Sequence, residues 1–350
     1  MKVFTIGVNY ASTHNNIARG LKELGAEVRS LSVENTLSAY NDYSLIQTTN
    51  YTGKQLNPLS IDAWKIKYTN YKLIKEYADW ADIIHVFSDT RALPLNIDVQ
   101  LLRNASKKCF VHFFGSDIRI PEIELSTNSY FHYAWLNKDY EYRNEIENAS
   151  LKLQRKFKGF TPIVFDTFIF LNHDTFPKHH ILPHPSIVSD RVCLPDFSAQ
   201  RPIKIAHAPS APVAKGTKFI TEAISKIKKN TALDFTLIQN VSINDYLRII
   251  EDCDIYIDQL IWGAYGVAAQ QAMSLGKPVV CYLKPILTEQ LFSREIPLIN
   301  ANPDNIKNVI ELLIAQPKQL QTIGLATRNY VKNTHDHLRV AHQLINIYES

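Results

Sequence analysis

WGAYGVAAQQAMSLGKPVV, residues 262–280, is the most informative stretch of the chain. Gly263 and Gly266 open it and let backbone N–H groups come close to a ligand. Small residues follow (Ala268, Ala269, Ala272), as in a helix that lies tightly on a sheet. Gly276 then stops that helix, and Pro278 leads into an apolar strand at Val279-Val280. A helix N-terminus placed behind two glycines offers free N–H donors and partial positive charge, which suit a phosphate or sugar hydroxyls. On spacing alone, the same stretch also fits an ordinary tight turn between strand and helix.

The alternation continues on both sides of this unit. Apolar strands are predicted at 203–206, 233–238, 255–257 and 278–282, with helices over 216–229, 243–250, 266–275, 306–315 and 317–332. Upstream, 3–8, 27–31, 82–87 and 109–114 read as buried strands. Ile17, Leu21 and Leu24 repeat at helical spacing, with Gly25 as the stop. Residues 128–158 read as one or two helices, and 162–165 and 180–182 as short strands. A Pro- and Ser-containing stretch, 183–202, breaks the periodicity and reads as a linker. Residues 337–348 form an amphipathic end helix. Continuous apolar strands separated by helices predict an α/β fold: two Rossmann-like, doubly wound parallel-sheet domains facing across a cleft. The expected boundaries are 1–185, 186–335 and a terminal segment 336–350.

Composition narrows the function classes. The 350 residues carry 38 Lys+Arg against 34 Asp+Glu, a formal net charge of +4, which gives no polycationic signature, so no nucleic-acid partner is expected. Eleven glycines exclude collagen-like and Gly/Ser-linker classes. The four cysteines are far apart among apolar neighbours and read as reduced thiols of a cytoplasmic protein. Residues 1–8 read as a first strand rather than a signal peptide, and no apolar run reaches spanning length. Residues 64–77 interleave Lys65, Lys67, Lys72 and Lys75 with Trp and Tyr. That pattern fits either a solvated helix face or weak association with an anionic membrane surface, at the inner face of the membrane.

Residues 262–280 resemble the signature of the GT-B glycosyltransferases, in particular the large retaining family 4. That signature runs Glu-Gly-Phe-Gly, apolar residues, then Glu-Ala-Met-Ala-x-Gly-Lys-Pro-Val-Val. Gly266, Ala272, Met273, Gly276, Lys277, Pro278, Val279 and Val280 match it, and Tyr265 stands for the phenylalanine. The two family glutamates fall on Gly263 and Gln271. Residues 206–217 (AHAPSAPVAKGT) resemble the start of the family's second domain. There Lys215 matches the family's lysine, and Ser210 stands where the family has arginine. Residues 110–119 (FVHFFGSDIR) resemble its His-x-x-Gly-Ser-Asp stretch. Residues 324–335 with the end helix resemble its last segment, so the likeness covers nearly the whole chain.

The resemblance implies an acceptor-side domain at 1–185, a nucleotide-sugar donor domain at 186–335, and an end helix that crosses back onto the first. On the donor side it implies Lys215, Gly216, Gly263, Ala264, Tyr265, Gly266 and Gln271, with Asp258 as a further candidate just beyond a strand. Gln271 can still present a carbonyl acceptor to a ribose hydroxyl. His112 is the implied catalytic residue, orienting the reacting sugar. Asn15, Asn16, Gly115, Ser116, Asp117 and Arg119 are implied on the acceptor or sugar side. Asn15 and Asn16 are also expected to cap the first helix.

The implied activity is metal-independent transfer from a nucleotide sugar, a substrate rather than a cofactor, to a glycan or lipid-linked acceptor. The product would be a surface polysaccharide or glycoconjugate. No resident cofactor and no metal ligands are expected: Asp252-Cys253-Asp254 and the loose set His173, His179, His180 and His184 fit no standard metal pattern. Two alternatives stay open, a non-catalytic GT-B subunit or glycan-binding scaffold, and a nucleotide-sugar epimerase.

Overall fold

A computed structural model of the chain describes residues 1–32, 44–45, 60–90, 92–136, 145–196, 201–291 and 296–350. Parts of two stretches read from sequence, 137–144 of the helical region and 197–200 of the linker, lie outside the described residues. The chain divides into two compact units. The first comprises 1–120, 147–185 and 337–350, and the second 121–146 and 186–336.

The first unit is built on a seven-stranded sheet. Its strands are β1 (Lys2–Gly7), β2 (Glu27–Ser32), β3 (Ser44–Leu45), β4 (Ile83–Phe87), β5 (Lys108–His112), β6 (Thr161–Val164) and β7 (His180–Ile181). They run in the order β3-β2-β1-β4-β5-β6-β7, and all pairings are parallel. Val3, Ile17, Leu21, Phe87, Phe110 and Ile163 form its core, joined by Val340, Ala341 and Leu344 of the His337–Glu349 helix. That end helix lies against the Thr13–Glu23 helix so closely that a Cβ at Gly20 would sit 2.6 Å from the His337 carbonyl oxygen and 2.8 Å from the Ala341 Cβ. Gly20 is thus needed for close approach.

In the second unit the strands are β8 (Ile203–His207), β9 (Leu233–Leu237), β10 (Ile255–Ile257), β11 (Val279–Cys281) and β12 (Ile299–Asn300). Their order is β12-β11-β10-β8-β9, again wholly parallel. Ile205, Ile220, Ile224, Ile255, Ile257, Val280 and Ile310 fill the core between sheet and helices. Sequence order reverses between β8 and β10. In doubly wound sheets that switch point opens a crevice at the carboxyl ends of the strands, where ligands bind.

Residues 121–146, which the sequence reading assigns to the first domain, cluster with the second unit. The cause is a set of tethers. Glu124 binds Lys284 at 3.0 Å, Asn128 donates to the Ile261 carbonyl at 2.8 Å, and Phe131 packs on Trp262.

Candidate functional site

The carboxyl ends of β8 and β10 carry the donor-side candidates. His207 closes β8. Its ring bonds the Ile257 carbonyl through Nδ1 (2.8 Å) and the Thr217 hydroxyl through Nε2 (2.9 Å), which ties the two strand ends together. Burial lowers the His207 pKa to about 4, and the bond to the Ile257 carbonyl offsets this only in part. Beyond β8, the short Pro212–Lys215 helix ends at Gly216, which takes φ +75° and starts the Thr217–Ile227 helix.

Lys215 and Asp258 meet at this point. The Lys215 ammonium donates to Asp258 Oδ1 at 2.6 Å, and the Gly266 N–H donates to Oδ2 at 2.7 Å. Asp258 is fully buried, and the Lys215 side chain is only 11% exposed. Gly266 is the N-cap of the Val267–Ser274 helix, so one carboxylate joins the lysine to a helix N-terminus. Gly266 has ordinary extended backbone (φ −95°, ψ 178°), so conformation does not demand glycine there. A Cβ at Gly266 would instead stand 3.6 Å from Asp258 Oδ2 and 3.9 Å from the Lys215 ammonium. Glycine at this position therefore adds no atom beside the ion pair.

The neighbouring residues hold the loop. Gly263 takes φ +75°, and a Cβ there would lie 2.8 Å from the Lys284 Cβ. Lys284 and Glu124 form a buried pair, with Asn128 donating to Glu124 at 2.8 Å. Tyr265 is buried, its hydroxyl 2.8 Å from both the Tyr330 hydroxyl and His335 Nε2, and Ala264 is buried beside it. Gln271 accepts from the Tyr246 hydroxyl at 3.1 Å, a hydroxyl whose pKa is raised chiefly by burial. Nothing local marked Glu124, Asn128, Lys284 or Tyr246 in the sequence.

Asp252 and Asp254 are committed elsewhere. Asp254 takes both guanidinium nitrogens of Arg201 at 2.7 Å, and Asp252 takes the Lys204 ammonium.

In the first unit, His112 ends β5 and is fully buried, with no hydrogen-bond partner at either ring nitrogen. It lies against Phe114 (4.8 Å between centroids) and Phe87 (5.6 Å), and parallel to His85 at 5.6 Å. His14 continues the stack on Phe87 at 4.4 Å, and His184 lies 6.2 Å from His112. Burial drives the His112 pKa well below 6.5, with His85 and His184 adding to the effect, and brings His14 and His85 to about 3. A ring so enclosed packs against the aromatic side chains at the strand ends.

The acceptor-side candidates lie nearby in the chain. Asn15 and Asn16 do not cap the first helix: they sit inside it, because it begins at Thr13. The capping acceptor is Asn9, whose side chain takes the Asn15 N–H at 3.2 Å, while Asn16 donates to the Pro185 carbonyl at 3.1 Å. Gly115 opens the four-residue Gly115–Ile118 helix, which includes Ser116. Asp117 turns back to accept the Phe114 N–H at 2.9 Å. The Arg119 guanidinium rests over Phe170, and a Cβ at Gly115 would meet it at 3.3 Å.

No protein-family model matches the sequence, and no curated protein matches it either. Solved structures do match over the full length. Sucrose-phosphate synthase from Thermosynechococcus elongatus superposes with a TM-score of 0.62 at 13% identity, covering 100% of this chain and 98% of that one. Anabaena HepE, in complex with UDP, gives 0.60 at 12% identity, covering 100% of both chains. WaaG, a glycosyltransferase involved in lipopolysaccharide biosynthesis, gives 0.56 at 12% identity, covering 99% of both. The chain has the GT-B glycosyltransferase fold: two parallel-sheet α/β domains of the Rossmann type.

Proposed function

We propose that the chain is a glycosyltransferase that takes a sugar from a nucleoside diphosphate donor held by its second unit. One observation carries the reading: at the switch point between β8 and β10, the Lys215 ammonium and the Gly266 N–H both bind the Asp258 carboxylate, which fixes a cation beside a helix N-terminus capped by glycine. An ammonium has three donors, and Asp258 takes one, so others can face a diphosphate. As the glycosidic bond breaks, negative charge grows on the diphosphate, and a fixed cation beside a helix N-terminus stabilises it without a metal. Gln271 would accept a ribose hydroxyl. Retention of anomeric configuration and a glycan or lipid-linked acceptor rest on the resemblance to family 4.

Asp258 is a positioning residue in this scheme: it aims Lys215. His112 is a positioning residue too, supporting the Gly115 turn through Phe114. The acceptor side is assigned to Asn15, Asn16, Gly115, Ser116, Asp117 and Arg119. The second reading, a nucleotide-binding subunit without transfer, is favoured by Gly263, where Lys284 fills the space a side chain would need. Incubation of the purified protein with a nucleotide-sugar panel and candidate acceptors separates the two. Sugar transfer supports the first, and nucleotide binding without transfer or donor hydrolysis supports the second.

A further inference from the structure

The Ile61–Trp80 helix presents an unusual outer face. It starts at Ser60, whose hydroxyl accepts the Ala63 N–H, and it buries Ala63, Asn70, Ile74 and Ala78. The opposite side is apolar where solvent should favour polar residues: Ile61 is 74% exposed, Trp64 61%, Tyr68 60% and Tyr71 38%. At roughly 100° per residue these four, with Lys65, Lys72 and Lys75, fall within an arc of about 120°. The rings are also backed by cations. The Lys67 ammonium lies 5.1 Å from the Trp64 ring centroid and the Lys72 ammonium 4.5 Å from that of Tyr68.

The charge on the first half of this face is one-sided, while Asp79 shares the arc further along and pairs with Lys75. Among residues 61–73 the only acid is Asp62, which projects away from the aromatic arc. Further along, Glu76 is paired with Arg29 at 3.1 Å and Asp79 with Lys75 at 2.6 Å. Among the described residues no helix is long and apolar enough to cross a membrane.

We propose that this face docks on an anionic lipid surface. Trp and Tyr rings settle at the headgroup level with their apolar bodies inward and polar tips in water. Lys65, Lys67 and Lys72 supply the complementary charge, and their stems lie along the rings while the ammonium groups reach lipid phosphates. Exposed rings and lysines share one face of a single helix, an arrangement that suits a headgroup plane. The proposal is independent of the donor chemistry and goes beyond it.

Vesicle co-sedimentation of the full chain tests it. The protein should pellet with vesicles of phosphatidylcholine containing phosphatidylglycerol, and much less with phosphatidylcholine alone. Trp64→Ser/Tyr68→Ser and Lys65→Glu/Lys72→Glu, all on solvent-exposed positions, should each weaken partition by about tenfold or more. Their melting profiles should match the parent. Lys226→Glu/Lys229→Glu, on exposed positions after the second sheet's first strand, should leave partition unchanged. Equal binding to neutral vesicles, undiminished binding by both helix variants, or equal loss in the Lys226/Lys229 variant would each overturn the proposal. Capture by a soluble glycan or protein with no vesicle binding would do the same.

Discussion

Lys215 and Asp258, 43 residues apart in sequence, form a largely buried ion pair at 2.6 Å, and the carboxylate's second oxygen is held by the Gly266 N–H. Removing one partner strands a charge. Lys215→Ala should cost about 3 kcal/mol, because the Asp258 carboxylate stays buried with only one donor. Lys215→Ala/Asp258→Asn should cost less than the sum of Lys215→Ala and Asp258→Asn. Urea unfolding of the four proteins in a double-mutant cycle measures this coupling.

Gly266→Ala separates fold from function. Its backbone suits alanine, and its Cβ would make only ordinary contacts, the nearest at 3.6 Å. Stability should fall by about 1 kcal/mol or less, the usual effect at an N-cap. The methyl group would cover the Lys215 ammonium, so nucleoside diphosphate affinity should drop by about tenfold. Parallel thermal melts and calorimetric titrations check both parts.

At Gly263 the expectation is the reverse. The residue has φ +75° and no room for a Cβ beside Lys284. Gly263→Ala should destabilise by about 2 kcal/mol or more, through left-handed strain and displacement of Lys284. Gly25→Ala shares a positive φ but meets nothing within 4 Å, so it should lose about 1 kcal/mol. Gly263→Glu, which introduces the residue of the resembling family 4 signature, should unfold the loop rather than raise activity. Chemical denaturation of the three variants tests this order.

Acid should destabilise the first unit. His14 and His85 are held near 3 and His112 well below 6.5, chiefly by burial. Their folded pKa values lie below the unfolded value, so the unfolded chain binds protons first. The stability is present above about pH 6.5 and is lost as pH falls below it, at about 1.4 kcal/mol per histidine per pH unit. By pH 5.5 His14 and His85 together should cost roughly 3 kcal/mol, with His112 acting in the same direction. His112→Phe, which packs against Phe87 and Phe114 and removes two unpartnered nitrogens, should flatten part of that loss without lowering stability at pH 7.5. Unfolding free energies at pH 7.5, 6.5 and 5.5 decide it.

The long elements were legible because they bury one face. The apolar runs of β4 and β5, the 255–257 strand and the 306–315 helix stand within a residue or two of their predicted limits. β3 and β12, two residues each, are too short to carry any period. The membership of residues 121–146 was illegible because it rests on Glu124–Lys284, a pair 160 positions apart. Lys215, Gly266 and Asp258 could be named from the sequence. Their convergence could not, since it depends on β8 and β10 lying side by side. His85 stands third in β4 (IIHVF) and His112 last in β5 (KCFVH), opposite Phe110 and Phe87 respectively, so their 5.6 Å stacking depends on a register between strands that neither segment shows alone.

The central claim is that Lys215 and the Gly266 helix terminus receive a diphosphate. Isothermal titration with nucleosides, nucleoside monophosphates and nucleoside diphosphates addresses it most directly. The account predicts that at least one diphosphate binds, that its nucleoside does not, and that Lys215→Gln/Asp258→Asn weakens binding by tenfold or more in a protein that still folds, which corresponds to about 1.4 kcal/mol. Absence of binding by every diphosphate, or equal affinity in the folded double variant, would contradict it.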